Sequence, residues 1–364
     1  MTNAVILVGG GGTRLRPLTY AVPKPLIPVL NRPLISHLVD HLRRHGVNRI
    51  VLAASANDKR IEAALGDGSA LGISLSYCYE TEPLGSGLAV KQAARDFDGP
   101  FFVCNGDVIT NLDLRAMAER HRANGALLSI SLAYVDDPSG FGVVELDEGD
   151  RIARFVEKPA PGEAPSSWAN AGTWIFEPEV LHHIADEKMD GSLERLVFPS
   201  LIADGFRVQG FPSAAYWMDV GTSERYMRLH RDILAGRLDT LAPDDIEARP
   251  YLGHGCRVWP DATLLAPVVL GERCRVGAGV RIEGPSVLGD DCAIREEARV
   301  AASVLWSGVR VGAGAFVRDS IVGEGCWIGD GAVVEGAVLA NGAKVKRGVR
   351  LVPGARLEPD EVAG

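Results

Sequence analysis

Aromatic residues are scarce in this chain of 364 residues: Phe, Trp and Tyr make up 6%, against 46% for hydrophobic residues as a whole. A core must therefore be packed from Val, Leu, Ile and Ala. Long apolar runs are missing too. None reaches the roughly 18 residues of a membrane-spanning helix, so no membrane partner is expected. Excess positive charge is absent: the formal net charge is −9. That argues against nucleic acid as a partner, and any polyphosphate must be held by local groups. The N-terminus, MTNAVILVGG, has no basic region and no cleavage pattern. A cytoplasmic location is the expectation.

Cysteine and histidine are placed so as to exclude familiar sites. Cys78, Cys104, Cys256, Cys274, Cys292 and Cys326 include no pair two to four residues apart, the spacing zinc sites prefer. Cys256, Cys274 and Cys292 recur every 18 residues, which suits a column of small buried side chains better than a metal ladder. His37, His41 and His45 share one helical face beside Leu34, Leu38 and Leu42. No Glu follows His37 or His41 as HExxH requires, so these rings are expected to flank the core. Beyond residue 250 the only histidine is His254, which disfavours an acyltransferase in the tail. The tail is read as structural or regulatory.

Two halves obey different periods. In residues 1–236, "AVILVGG", "NRIVLAAS", "LSYCYE", "FFVCNGD" and "LLSISLAYV" read as strands, and "PLISHLVDHLRRHG" as an amphipathic helix. Strands alternating with helices predict an α/β fold with a mostly parallel sheet. Ligands then sit at the carboxyl ends of strands. "SERYMRLHRDILAG" at 223–236 fits a helix ended by Gly236, and residues 237–250 form a linker.

From Leu252, steps of six reach Val258, Leu264, Leu270, Val276, Ile282, Leu288, Ile294 and Val300. Steps of five, six and six then lead through Leu305, Val311, Val317, Val322, Ile328, Val334, Leu339, Val345 and Leu351, with a last six to Leu357. None of these nineteen stops is polar. Such a repeat indicates a solenoid over residues 251–364. It resembles the left-handed parallel β-helix family, and the resemblance implies six triangular coils, roughly 29 Å in all at about 4.8 Å per coil.

The densest chemistry lies early. "VGGGGTRLRPLT" occupies residues 8–19 and "PKPLIPV" residues 23–29. Glycines let backbone N–H groups approach a polyanion, and Arg14 and Lys24 add cationic donors. The stretch satisfies neither GxxxxGK[ST] nor GxGxxG. Further on come "EPLGSGLA" at 82–89, "NGD" at 105–107, "FGVVELD" at 141–147, "FVEKP" at 155–159, "NAGTWIF" at 170–176 and "WMDVGT" at 217–222. In this order the motifs resemble those of the sugar-1-phosphate nucleotidyltransferases. With the appended β-helix, the pattern looks most like the mannose-1-phosphate guanylyltransferases of that family.

The resemblance implies a Rossmann-like mixed sheet flanked by helices as the catalytic domain, over residues 1–236. It implies an NTP and a hexose 1-phosphate as substrates, Mg²⁺ as cofactor, and a homo-oligomer formed through the β-helix. By the same resemblance Arg14, Lys24, Asp107 and Asp219 are catalytic, and Asp107 and Asp219 hold the metal. Val8, Gly9, Gly10, Gly11, Gly12, Thr13, Arg14, Glu82, Pro83, Gly87, Asn105 and Asp107 bind the nucleotide. Lys24, Gly142, Glu157, Lys158, Asn170 and Asp219 bind the sugar phosphate. The residue types suit the chemistry: a phosphate nucleophile needs no general base, only positioning and charge neutralisation. An ionised Glu82 only accepts hydrogen bonds. It fits the adjacent N1–H and N2 amino donors of guanine, and favours GTP. A glucose-1-phosphate thymidylyl-, uridylyl- or adenylyltransferase is the alternative, as is a non-catalytic subunit that senses nucleotide sugars.

Overall fold

Asn3–Leu7 is a short aliphatic strand that pairs in parallel with Arg49–Ser55 on one side and Phe101–Asn105 on the other. The coordinates are a computed structural model; they describe every residue except 56–57, 81–83, 187–191 and 239. By its contacts the chain divides into two units. One joins Met1–Gly10 to Ile35–Met218, and the other joins Gly11–Leu34 to Asp219–Gly364.

The first unit is built on a Rossmann-like mixed sheet. Ser74–Glu80 extends the parallel part beyond Arg49–Ser55. Trp168–Phe176 then runs antiparallel to Phe101–Asn105, to Leu128–Tyr134 and to Gly142–Leu146. The nearly continuous apolar strands at the centre are those of a sheet buried on both faces. Helices such as Leu34–Arg44 and Leu114–Ala123 pack alongside, the latter capped by Asp113 accepting from the N–H groups of Arg115 and Ala116. Trp174, Phe101, Phe176 and Phe198 concentrate the few aromatics in this core.

In the second unit each of the nineteen aliphatic stops lies in a strand, and the strands stack into three parallel sheets. Leu252, Leu270, Leu288, Leu305, Val322, Leu339 and Leu357 form one register column. Val362–Ala363 adds a stop beyond the nineteen, pairing with Lys344–Val345. The five-residue steps fall at one corner, where Ala302, Asp319 and Gly336 take positive φ. Ser286, Ser303 and Ser320 line that corner, wholly buried. The Ser303 N–H donates to Ser286 Oγ, the Ser320 N–H to Ser303 Oγ and the Ala337 N–H to Ser320 Oγ. These hydroxyls replace the ladder bonds that the tight corner interrupts. The cysteines form the expected column: Cys256, Cys274, Cys292 and Cys326 each donate Sγ–H to a backbone carbonyl of the next coil.

The histidine helix meets the core edge. His37 is buried, and the His45 ring lies 2.9 Å from the carbonyl of His41. Burial, and secondarily the neighbouring His45, lowers His41 from 6.5 to about 4. The unfolded chain therefore binds a proton there between those pH values while the folded chain does not. His41 contributes nothing unfavourable at pH 7 and destabilises as the solution is acidified below about pH 6.5. Urea midpoints should fall from pH 7 to pH 4.5, and His41→Leu should remove on the order of 2 kcal/mol of that fall. An unchanged pH slope in the variant contradicts this.

Candidate active site

In the second unit the signature segment folds onto itself before it meets anything else. Gly12 takes φ 57, and Thr19 Oγ1 donates to its carbonyl at 2.8 Å. A Cβ at Gly12 would lie 3.1 Å from both Lys24 Cβ and Thr19 Cγ2. Here glycine is required twice, for the backbone and for room. Leu15, Leu18 and Ile27 are fully buried and anchor the segment. A 3₁₀ turn over Lys24–Leu26 follows Pro23, with the Ile27 N–H returning to the carbonyl of Lys24.

Three cations converge on Asp219. Lys24 Nζ is 3.8 Å from Oδ1, Arg14 Nη2 is 3.9 Å from Oδ2, and Arg225 Nη1 donates to Oδ2 at 2.8 Å. The Lys24 side chain is only 10% exposed, while that of Arg14 is 64% exposed. Arg225 sits in the helix Ser223–Leu234, whose N-cap Thr222 accepts from the Arg225 N–H. The cluster gathers three cationic side chains around one carboxylate in a chain whose net charge is −9. Sequence reasoning placed Arg225 on this helix without a role. Gly221 was also passed over: a Cβ there would lie 2.8 Å from Arg14 Nη2 and 3.2 Å from Asp219 Oδ1.

In the first unit the other site residues gather at strand ends. Val8 closes the first strand, its N–H donating to the carbonyl of Ala53. Apart from their chain neighbours, no described residue would lie within 4 Å of a Cβ at Gly9 or Gly10. At Gly106 a Cβ would lie 2.8 Å from Val8 Cγ1 and 2.9 Å from the carbonyl oxygen of Leu7. Gly106 thus lets the "NGD" turn close on the end of Asn3–Leu7, and places Asn105 and Asp107 beside the start of the glycine loop. Gly172, at φ 71, gives the same clearance to Asn105 Nδ2.

The second strand cluster differs from expectation in detail. The space above Gly142 is occupied by the Phe155 ring and Glu157 Oε2, 2.6 and 2.8 Å from where a Cβ would stand. Lys158 takes φ 49 and holds Nζ 3.4 Å from Glu157 Oε1. Burial, then the nearby Glu194 carboxylate, pushes the Glu157 carboxyl above the usual range, and Lys158 opposes them. Asn170, expected at the sugar phosphate, carries an amide that can both donate and accept. Its Oδ1 already accepts from the Gly172 N–H and from Trp174 Nε1 at 2.8 Å, so the amide nitrogen is what it can offer. Gly87 lies in the helix Ser86–Ala93, where Ser86 Oγ accepts from the Leu193 N–H and donates to Glu194. Glu82 and Pro83 lie outside the described residues.

Asp107 and Asp219 belong to different units. Among the described residues no group of three or more His, Cys, Asp or Glu side chains could hold a metal ion. Two aspartates are hard oxygen donors of the kind Mg²⁺ takes, with its remaining positions filled by water and phosphate; in donor type they fit. Among the described residues no helix is long and apolar enough to cross a membrane.

A Rossmann-like sheet whose glycine loop is followed by a cation-ringed aspartate, joined in one chain to a three-sided β-helix, defines a sugar-1-phosphate nucleotidyltransferase architecture. Residues 3–236 match the Nucleotidyl transferase family, and residues 247–357 match the EIF2B subunit epsilon LbH domain. The chain belongs to the nucleotidyl transferase family and is a sugar-1-phosphate nucleotidyltransferase. It is 36% identical to a mannose-1-phosphate guanylyltransferase of Mycobacterium tuberculosis, over 86% of this chain and 82% of that one. It is 34% identical to a UTP–glucose-1-phosphate uridylyltransferase of Synechocystis, over 88% and 87%. Among solved structures, a putative glucose-1-phosphate thymidylyltransferase of Bacillus anthracis superposes with a TM-score of 0.58 at 27% identity, covering 63% of this chain and 94% of that one.

Gly221→Ala tests the cation cluster. The new methyl displaces the far end of Arg14, a flexible side chain, so folding should survive and Tm should move by no more than a few degrees. The steady-state kcat/KM should fall about tenfold or more, as misplacement in a positioning site does. Wild-type kinetics in a folded variant would remove Arg14 from the reaction.

Proposed function

We propose that this protein transfers a guanylyl group from GTP to mannose 1-phosphate, giving GDP-mannose and pyrophosphate. The observation that carries the reading is the convergence of Arg14 and Lys24 of the signature segment, with Arg225, on Asp219. The relatives at 36–38% identity named as mannose-1-phosphate guanylyltransferases support the substrate pair. The six free cysteines suit a reducing compartment such as the cytoplasm.

In this reading an oxygen of the sugar phosphate attacks the α-phosphorus of GTP. The new P–O bond forms as the bond to the β-phosphate oxygen breaks, and pyrophosphate departs with the electron pair. No proton moves. The glycine-loop amides and Arg14 bind the β- and γ-phosphates. Lys24, nearly buried and held near Asp219, offsets the charge of the two phosphates as they close. Glu157 accepts sugar hydroxyls, the Asn170 amide nitrogen donates to one, and Lys158 faces the sugar phosphate. Asp107 and Asp219 are assigned to Mg²⁺ on their motifs and donor type. The ion, when bound, would neutralise phosphate charge.

Pyrophosphate release from four NTPs against several hexose 1-phosphates, with products identified by mass, tests the substrates. GTP with mannose 1-phosphate should lead; UTP with glucose 1-phosphate leading would make the Synechocystis relative the better guide. Lys24→Ala should lower kcat by orders of magnitude in a folded protein. Asp107→Asn and Asp219→Asn should each raise the Mg²⁺ requirement sharply, and a wild-type rate at limiting Mg²⁺ in either would end the paired-ligand assignment.

Base choice is tested separately. Glu82→Gln should narrow the GTP-to-dTTP ratio of kcat/KM by about tenfold, on the order of 1.4 kcal/mol, within what a bidentate pair discriminates. An unchanged ratio takes Glu82 out of the base site.

A further inference from the structure

The hairpin that follows Lys24 is held from outside itself. Pro28–Val29 pairs with Arg32–Pro33 around a two-residue turn in which Leu30 and Asn31 both take positive φ. The Leu34 N–H donates to the carbonyl of Ile27. Pro28 and Pro33 therefore face each other at a position without ladder bonds, and the carbonyl of Pro28 points away from its own hairpin. Its acceptor need is met by the hydroxyl of Tyr226, which donates to it. The same hydroxyl accepts from Trp306 Nε1 at 3.0 Å. Tyr226 is 0% exposed and Trp306 3%. Burial pushes the phenol well above its usual range, so it stays a donor. An indole N–H only donates, which gives the chain one direction: Trp306 to Tyr226 to Pro28.

Neighbouring contacts come from the same side of the β-helix. Asn31 Nδ2 donates to the carbonyl of Leu288 at 2.8 Å, and Arg356 Nη1 to the carbonyl of Arg16 at 2.6 Å. Leu288 and Arg356 lie on strands of one sheet, and Trp306 directly follows a third strand of it. Tyr226 is next to Arg225, the residue bonded to Asp219. The wall thus supports both members of the Lys24–Asp219 pair, one through the hairpin and one through the helix.

We propose that this wall of the β-helix positions Lys24 for the transfer reaction, through the hydrogen-bond relay Trp306–Tyr226–Pro28. Tyr226 and Trp306 are positioning residues that act on Lys24 through the hairpin. The tail is then a working part of the active site as well as a structural element. The inference rests on the nucleotidyl-transfer reading for its effect on rate, but its structural half stands without it.

Two variants remove the relay, each made in the full chain: Tyr226→Phe, which deletes only the hydroxyl, and Trp306→Phe, which also trims the buried ring system. Hydrogen exchange should show the Leu26, Ile27 and Leu34 amides opening about tenfold faster, with β-helix amides unchanged. In the same variants kcat should fall about tenfold while KM for the nucleotide stays within about twofold. In a Lys24→Ala background, Tyr226→Phe should cause no further loss, because groups acting through one another are not additive. Unchanged hairpin exchange overturns the proposal, and so does faster exchange throughout the β-helix, which would mark global destabilisation. Faster hairpin exchange with wild-type kcat also overturns it, leaving only a structural clamp. If the wild-type protein releases no pyrophosphate with any substrate pair, the transfer reading fails by itself, and hydrogen exchange still decides whether the relay holds the hairpin.

Discussion

Asp219 is the charge on which the catalytic segment depends. An ammonium held as deeply as that of Lys24 would cost several kcal/mol without a counter-charge. Asp219 supplies it at 3.8 Å, while Arg225 holds the other carboxylate oxygen at 2.8 Å. The arrangement lets cations that would repel one another converge. A protein with net charge −9 thus gathers three cations at one place. Burial of Leu15, Leu18 and Ile27 then fixes the segment that carries two of those cations.

The two halves were legible to different degrees for physical reasons. In the β-helix every coil repeats the same burial, so one aliphatic residue per step is enough to declare each strand, and all nineteen are strands. The five-residue steps were visible as a change of stride, and they turn out to mark the positive-φ corner. The sheet strands from "AVIL" to "LLSISLAY" were equally plain, because buried strands must be apolar. Side-chain meetings over long sequence distances carry no period. Nothing in the spacing announced that Arg225 would bond Asp219, or that Tyr226 would meet Trp306 and Pro28. Nor could it show that Gly11–Leu34, read as part of the catalytic half, shares its contacts with the β-helix.

The glycines illustrate the same divide. Those of the opening loop, Gly9 to Gly12, were read as permission for a backbone to approach phosphate. At Gly12 the requirement is internal, from φ and from the Lys24 and Thr19 side chains. At Gly106, Gly142 and Gly221 it is clearance for a named neighbour: Val8, Phe155 with Glu157, and Arg14. Of the four loop glycines, Gly9 and Gly10 have no described residue beyond their chain neighbours within 4 Å of a Cβ. At these two no described neighbour accounts for the glycine. A motif records that a side chain is missing; the fold shows what takes the room.

A reaction between two phosphates makes particular demands of its scaffold. No proton has to be taken or given, so little is gained by tuning a base. What lowers the barrier is holding like charges together in line, and each ångström of slack is expensive. Loops are poor at this, being the most mobile part of most folds. A solenoid is well suited, because every coil is pinned by hydrogen bonds to the coils on either side and by a continuous aliphatic core. The lysine of this site stands on a single 3₁₀ turn next to a hairpin of two two-residue strands, too small to be rigid alone. Docking that hairpin on a stacked wall through a buried Tyr226 hydroxyl gives it the stiffness of the stack. The repeat that looked least chemical in the sequence therefore supports the most demanding residue in the chemistry.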